Sequence, residues 1–428
     1  MSPTPDAVEP APVRAGRGRD DACPGALRLH AADDGALARV RVPGGLLSVP
    51  QALALAQAAE ELGDGALEAT SRGNLQLRGL RPDAGLELAR RLRAVALLPS
   101  DSHERVRNVV ASPLAGLDGG ADLRPWIREL DALLLASEPA RALSGRFLFA
   151  LDDGRGDVAA LDADLTLIAR PDGSALLRLG RAATAAPVTA GPAALLAAAE
   201  AFVALDSGAW RVAEADPDGT RLAGRLGLTP EPLPELPGHR PALGPIAAGG
   251  AVAAAGGVVG SAGVVVGMRF GRATAAQWRA LAGTGAAELR VTPWRGVVLP
   301  GVDPAVLPAL AAAGLRTDPA SPWTGATACT GSPGCGKSLA DVRGAAAAAL
   351  DQGAEPALGA ASTGAPLLPV HWSGCERRCG HPAGPYVDVL ATGAGYRITG
   401  PGGSGPGSAT EVTNQQMAAA VAAARRTT

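Results

Sequence analysis

Four of the five cysteines in the 428-residue chain fall in two close pairs, and this constrains the fold more than any other feature. Cys329 and Cys335 form C-x5-C in Thr-Ala-Cys-Thr-Gly-Ser-Pro-Gly-Cys-Gly. Cys375 and Cys379 form C-x3-C in Ser-Gly-Cys-Glu-Arg-Arg-Cys-Gly-His-Pro, after a gap of 39 residues. Thiolates paired on Gly/Pro-rich loops converge on a soft metal or cluster, so the fold must bring two distant loops together. Glycines 331, 334, 336, 374 and 380 let the backbone turn tightly and leave amides free to donate to sulfur. Two other readings stay open. One is four unrelated buried thiols. The other is structural zinc, although C-x5-C is longer than the usual zinc-knuckle arm. The fifth cysteine, Cys23, stands alone in Ala-Cys-Pro-Gly and reads as a small hydrophobe.

A second motif overlaps the first pair. Gly331 to Ser338 satisfies G-x4-G-K-[ST], the phosphate-cradling pattern, and holds Lys337, the chain's only lysine. Such a loop needs a buried parallel strand before it. Residues 321–330, Ser-Pro-Trp-Thr-Gly-Ala-Thr-Ala-Cys-Thr, do not read as one. Two glycines at this spacing arise easily among 57. Nucleotide hydrolysis is therefore the weaker reading of the loop.

Charge and composition narrow the class. Thirty-nine Lys+Arg against 41 Asp+Glu leave a net charge of −2, which argues against a general nucleic-acid partner. With 47% hydrophobic and 19% charged residues the chain is not wholly disordered. Residues 1–22 are rich in Pro, Ala, Arg and Asp, lack an apolar core, and read as a disordered tail rather than a signal peptide. Pro241 to Met268 holds 28 uncharged residues, long enough for a bilayer. Its Gly/Ala content favours a linker entering a strand at Val264–Phe270. The expectation is a cytoplasmic protein with no membrane partner, whose cysteines are thiols or ligands rather than disulfides.

A faint repeat sets the layout. Leu37–Gly44, a helix over 51–62, the strand–turn–strand Leu67–Leu80 and a helix over 84–95 return about 220 residues later. The counterparts are Val264–Phe270, a helix over 275–282, Leu289–Val302 and a helix near 306–313. The fold class expected is α+β with a pseudo-two-fold. Its parts would be half-domains at 23–98 and 241–318 (the latter with the linker), alternating with larger α/β regions at 99–240 and 319–428. Helices are expected over 125–136 and 339–350, and strands over 146–151 and 367–371. Ligands commonly sit between such halves.

C-x5-C, 39 residues, C-x3-C resembles the cluster signature of the sulfite/nitrite reductase superfamily, and the resemblance runs from about Cys23 onward. It implies ferredoxin-like half-domains alternating with cluster-binding domains, and a tetrapyrrole beside a 4Fe-4S cluster held by Cys329, Cys335, Cys375 and Cys379. Cys379 would lie nearest the tetrapyrrole. Thr70-Ser-Arg72-Gly-Asn-Leu-Gln76 is similar to the family's tetrapyrrole- and substrate-contacting element, and Arg107-Asn-Val to its second anion-binding segment. The reductases carry two basic residues around a Phe; here Arg146-Phe147-Leu148 keeps one. Within the superfamily the length and layout, Val42-Pro-Gly-Gly45 and Pro369–Pro382 resemble the precorrin-3B synthases; Glu376-Arg-Arg378 departs from their pattern. That resemblance implies O2-dependent hydroxylation of precorrin-3A with lactone formation, an external electron donor, and a mononuclear non-haem iron beside the cluster. The alternative is a siroheme-dependent sulfite or nitrite reductase. On either reading Arg72, Arg107 and Arg146 would act on substrate, with Thr70, Gln76, Arg295 and Lys337 toward the cofactor. Arg28, Arg39, Arg41, Arg72, Arg78, Arg107, Arg146 and Arg295 lie in segments expected to meet at the cleft, about half facing a polycarboxylate. His30, His103, His371 and His381 are the histidines near those segments.

Overall fold

The computed structural model describes residues 21, 23–249, 261–352, 367–382, 384–401 and 409–426. Apart from Asp21, the tail expected at 1–22 lies outside them, as does part of the 241–268 stretch.

The two ferredoxin-like halves are built alike. In the first, β1 (His30–Ala32), β2 (Gly35–Val40), β4 (Ala66–Ala69) and β5 (Leu75–Leu80) form the order β1-β2-β5-β4, with β3 (Leu46–Ser48) leading into α1 (Val49–Leu62) and α2 (Gly85–Ala94) following. In the second, β12 (Gly244–Ala247), β13 (Ser261–Gly267), β15 (Glu288–Val291) and β16 (Gly296–Pro300) form β12-β13-β16-β15, with β14 (Arg272–Thr274) leading into α7 (Ala275–Ala282) and α8 (Leu307–Ala312) following. Both long helices start on the same device. Ser48 and Gln51 close a capping box on α1, and Thr274 and Gln277 on α7. Each Gln then donates to a carbonyl past the next helix, Val95 or Ala313.

Each half lends a strand to the other. β14 pairs antiparallel with β4, and β3 with β15, so both sheets reach five strands. Leu55, Leu67, Leu77, Val264, Trp278 and Leu289 consequently share one hydrophobic core. Gly45 makes the exchange fit: its φ is +73° and a Cβ there would stand 2.1 Å from the Val291 carbonyl oxygen. The uncharged stretch supplies two sheet strands, and no described helix is long and apolar enough to cross a membrane.

The two α/β regions also match. β6 (Val109–Ala111), β7 (Phe149–Asp152) and β8 (Leu165–Ala169) are parallel, and β9 (Ala175–Leu179), β10 (Thr184–Val188) and β11 (Glu231–Pro232) continue antiparallel. α3 (Arg124–Ala136), α4 (Pro192–Val203), α5 (Val212–Ala215) and α6 (Thr220–Leu226) complete the region. In the other, β17 (Ala326–Ala328), β18 (Val370–Ser373) and β19 (Val387–Ala391) are parallel, and β20 (Tyr396–Thr399) and β21 (Ala409–Val412) antiparallel, with α9 (Val342–Gln352) and α10 (Met417–Ala424). β8 is buried along its whole length, as a strand covered on both faces requires.

β17 corrects one expectation: a short parallel strand does precede the Gly331–Ser338 loop. The loop still does not run into a helix N-terminus. Lys337 is exposed, and α9 begins only at Val342.

Candidate functional site

A cavity of about 750 Å³ opens beside the turn joining β4 to β5. Its wall includes Cys23, Thr70, Asp162, Glu214 and six arginines: 39, 41, 72, 146, 181 and 211. Arg39 and Arg41 stand two apart along an extended segment and share a face. Arg72 rides on a turn held by Thr70, whose Oγ1 accepts the Arg72 and Asn74 amides at 3.3 and 3.2 Å. Asn74 in turn donates to Asn108 at 2.7 Å, fixing the turn to the first α/β region.

The cavity's positive charge is only partly compensated. Arg181 pairs with Asp162, and Arg211 with Asp164. Among the described residues Arg39, Arg41, Arg72 and Arg146 have no carboxylate partner. Arg72 donates to the Arg146 carbonyl at 3.0 Å, and Arg146 lies 4.4 Å from the Trp210 ring centre. Burial, then the Arg211 and Arg41 charges, pushes the Arg72 guanidinium down to about 10, still charged near neutrality. Arg41 is 2% exposed; its Nη2 donates to Cys23 Sγ at 3.2 Å and to the Gly145 carbonyl at 3.0 Å. Its Nε and Nη1 have no partner. Four cations without counter-ions, Arg41 among them buried, favour an anionic ligand.

Other expected site residues lie elsewhere. Arg107 is buried away from the cavity in a two-pronged pair with Asp131, at 2.7 and 2.8 Å, which satisfies the guanidinium as a structural tie. Gln76 also stays out of the cavity, its amide donating to Glu68 at 2.7 Å. Arg78 is held by Asp34, and Arg28 lies on the surface. Arg295 occupies the turn between β15 and β16 at φ +63°, in the place that Gly73 (φ +69°) takes in the first turn. It lies near Gly380, and Trp294 takes the place of Arg72. Lys337 lines a separate groove of about 470 Å³ with Cys375, Arg377 and Arg397. Cys23, Arg181, Arg211, Asp162 and Glu214 were not legible as site residues, because an arginine-rich sequence gives them no distinguishing pattern.

The two cysteine loops do meet. Cys329 follows β17, Cys375 follows β18, and Gly374 donates its amide to Cys329 Sγ at 3.3 Å. Leu339 donates to the Gly374 carbonyl at 2.8 Å, laying the first loop on the second. All four are free thiols. Burial pushes the Cys329 thiol up, with the nearby Cys375 and Cys379 adding to it. The cysteine sulfurs do not form a group of three within 4.8 Å of one another. Amide-to-sulfur donation suits thiolates that hold a cluster.

The histidines do not assemble an iron site. His103 is tied to Ser100, Ser102 and the Ser137 carbonyl, and His30 is on the surface. His371 is fully buried, shares a 2.8 Å hydrogen bond with Thr327, and is held neutral by burial, which pushes it down to about 3. No described His–carboxylate triad has ligand atoms within 4.8 Å, so a mononuclear non-haem iron does not fit a preformed site here.

Residues 30–95 and 260–315, the two strand-exchanging halves, match the nitrite/sulfite reductase ferredoxin-like half domain. A ferredoxin–nitrite reductase of Synechococcus elongatus is 30% identical over 405 residues, covering 85% of this chain and 77% of that protein. The chain belongs to the nitrite/sulfite reductase family. A precorrin-3B synthase of Sinorhizobium is 29% identical over 400 residues, covering 89% of this chain and 82% of that protein. The Mycobacterium tuberculosis NirA protein superposes with a TM-score of 0.69 at 20% identity, over 90% of this chain and 79% of that one, and so shares the fold. Leu148, just before β7, stands where the reductase resemblance implied a second basic residue. It is 3% exposed and packed with Val110, Ala150, Val158 and Trp294.

Proposed function

We propose that this family member is an oxidoreductase of the precorrin-3B synthase kind, a monooxygenase hydroxylating the tetrapyrrole acid precorrin-3A at a meso carbon with lactone formation. The observation that carries the reading is the cavity in which Arg39, Arg41, Arg72 and Arg146 face a common space with no carboxylate of their own. A macrocycle bearing acetates and propionates supplies matching charge, and a cavity of about 750 Å³ suits a ligand of that size. Leu148 supports it further: the reductase resemblance implies a second cation at that position, and here it is a buried apolar side chain.

Cys329, Cys335, Cys375 and Cys379 would hold a 4Fe-4S cluster. When bound, that cluster would pass single electrons from an external donor such as a ferredoxin. The chain's own residues do the rest. Arg41 and Arg72 anchor carboxylates, Thr70 holds the turn that aims Arg72, and Trp210 braces Arg146. One oxygen atom of O2 enters the substrate and the other leaves as water, consuming two electrons and two protons. Lys337 and Arg377 put positive charge beside Cys375, where an acidic donor would dock, while Arg397 in the same groove is paired with Glu376.

The reductase reading rests on the Synechococcus relative, because siroheme is also a polycarboxylate. Anaerobically purified protein separates the two. O2 consumption dependent on precorrin-3A and reductant, without Soret-type absorbance, is the expected result. Steady sulfide production from sulfite, or ammonia production from nitrite, with reduced viologen as electron donor would overturn it.

A further inference from the structure

The first α/β region carries oxygen donors at the strand ends that correspond to the cysteine loops of the second. Ser112 follows β6 as Cys329 follows β17. The Ser112 amide donates to the Leu151 carbonyl at 3.0 Å, and the Cys329 amide to the Trp372 carbonyl at 2.9 Å. The side chains play matching parts: Ser112 Oγ accepts the Asp153 amide at 3.2 Å, and Cys329 Sγ accepts the Gly374 amide at 3.3 Å. The loop Asp152-Asp-Gly-Arg-Gly-Asp157 after β7 therefore stands where the Cys375–Cys379 loop stands after β18. One carboxylate oxygen from each of Asp152, Asp153 and Asp157 lies within 4.8 Å of the other two.

The three carboxylates are not equally satisfied. Asp152 accepts the amides of Gly154, Gly156, Val158 and Ala159. Asp153 pairs with Arg155 at 2.5 Å, and Arg155 is shared with Asp118 at 2.7 Å. Asp157, 1% exposed, takes the Ser112 hydroxyl at 2.6 Å and the Val158 amide at 2.7 Å, both on Oδ1. Its Oδ2 is buried with no hydrogen-bond partner. A buried carboxylate oxygen left without a partner is costly unless a positive charge meets it.

We propose that Asp152, Asp153 and Asp157 bind a hard divalent cation of the Mg2+, Ca2+ or Mn2+ class, at the place in the first region that corresponds to the thiolate loops of the second. Oxygen donors select such cations as sulfur selects soft ones. Ser112 orients Asp157 from behind. The bound cation ties the loop after β7 to the end of β6, underneath the apolar cluster of Leu148 and Val158.

The test uses full-length protein freed of divalent ions on chelating resin and titrated separately with CaCl2, MgCl2 and MnCl2. Calorimetry should show one equivalent of at least one cation taken up. The thermal midpoint should rise by about 5 °C at a hundredfold excess over Kd. Asp157→Asn should abolish uptake, and Ser112→Ala, which keeps every carboxylate, should weaken it roughly tenfold or more. No uptake of any of the three ions at millimolar concentration by the unmutated protein would overturn the proposal. So would an Asp157→Asn variant that titrates like the unmutated protein.

Discussion

Arg343 on α9 pairs with Glu68 on β4, and the same guanidinium donates from Nε to the Cys329 carbonyl at 3.2 Å. The first ferredoxin-like half thus grips the first cysteine loop, and Gln76 joins the grip through Glu68. Burial pushes the Glu68 carboxyl up, but Arg343 and Gln76 more than offset it and leave it below its ordinary 4.5. A lowered carboxyl contributes stability that is present above pH 4.5 and lost as pH falls through the folded value. Glu68→Gln should cost about 2–3 kcal/mol near neutrality, less than a fully buried broken pair because Arg343 is partly exposed. It should also flatten the acid side of the stability curve as pH falls below 4.5. Chemical denaturation at several pH values checks this, and an unchanged acid limb would refute it.

The cysteine set makes a sharper prediction. Cys329→Ser, Cys335→Ser, Cys375→Ser or Cys379→Ser should each abolish the broad brown absorbance of a cluster, because three thiolates rarely hold one firmly. Each should also destabilise the C-terminal α/β region. Iron and sulfide analysis reads the outcome; full cluster content in Cys329→Ser would break the ligand set.

Arg72→Ala should weaken precorrin-3A binding by about 1.5–3 kcal/mol, tenfold or more, for one lost charge-assisted bond. Arg107→Ala should act differently. It leaves Asp131 unpaired and lowers stability, with little effect on the affinity of the folded fraction. Equilibrium binding beside thermal melts distinguishes the two, and equal affinity losses would return Arg107 to the site.

Much of the fold was legible, because capped helices and alternating strands are local signals. The helices expected over 51–62 and 275–282 are observed as Val49–Leu62 and Ala275–Ala282, each opened by a capping box. The strand exchange was not legible. Leu46–Ser48 and Arg272–Thr274 are three residues each, and which sheet they join is a tertiary choice. The site divides likewise. The cysteine spacing announced its loops, and Arg72 and Arg146 sat in recognisable segments. The pairing of Arg107 with Asp131, 24 residues on, was not legible, because nothing in the neighbourhood of Arg107 announced it.

Gly45 tests the exchange directly. A Cβ there would strike the Val291 carbonyl oxygen, and φ is already in the left-handed region. Gly45→Ala should cost roughly 3 kcal/mol or more by forcing β3 off β15. Gly173→Ala, also at positive φ but with open space around it, should cost no more than about 1–2 kcal/mol. Equal losses in the two variants would mean that backbone strain alone, and not the strand contact, sets the effect.

Cys23 is the last case. Its sulfur receives Arg41 Nη2 at 3.2 Å and Arg39 Nη1 at 3.6 Å, and its thiol donates to the Gly145 carbonyl at 3.4 Å. It is therefore a polar fixture of the cavity wall rather than a plain hydrophobe. Cys23→Ala removes an acceptor from Arg41, which is buried and already has two unpartnered nitrogens. The variant should lose about 1–3 kcal/mol of stability and keep its cluster absorbance, since none of Cys329, Cys335, Cys375 and Cys379 lines the cavity. A polycarboxylate ligand should recover more stability in Cys23→Ala than in the unmutated protein, because it gives Arg41 the anion that the sulfur had partly replaced. Thermal melts with and without a tetrapyrrole acid, followed at a cluster band and in the far ultraviolet, measure both effects. Loss of the cluster band in Cys23→Ala would place this cysteine with the other four.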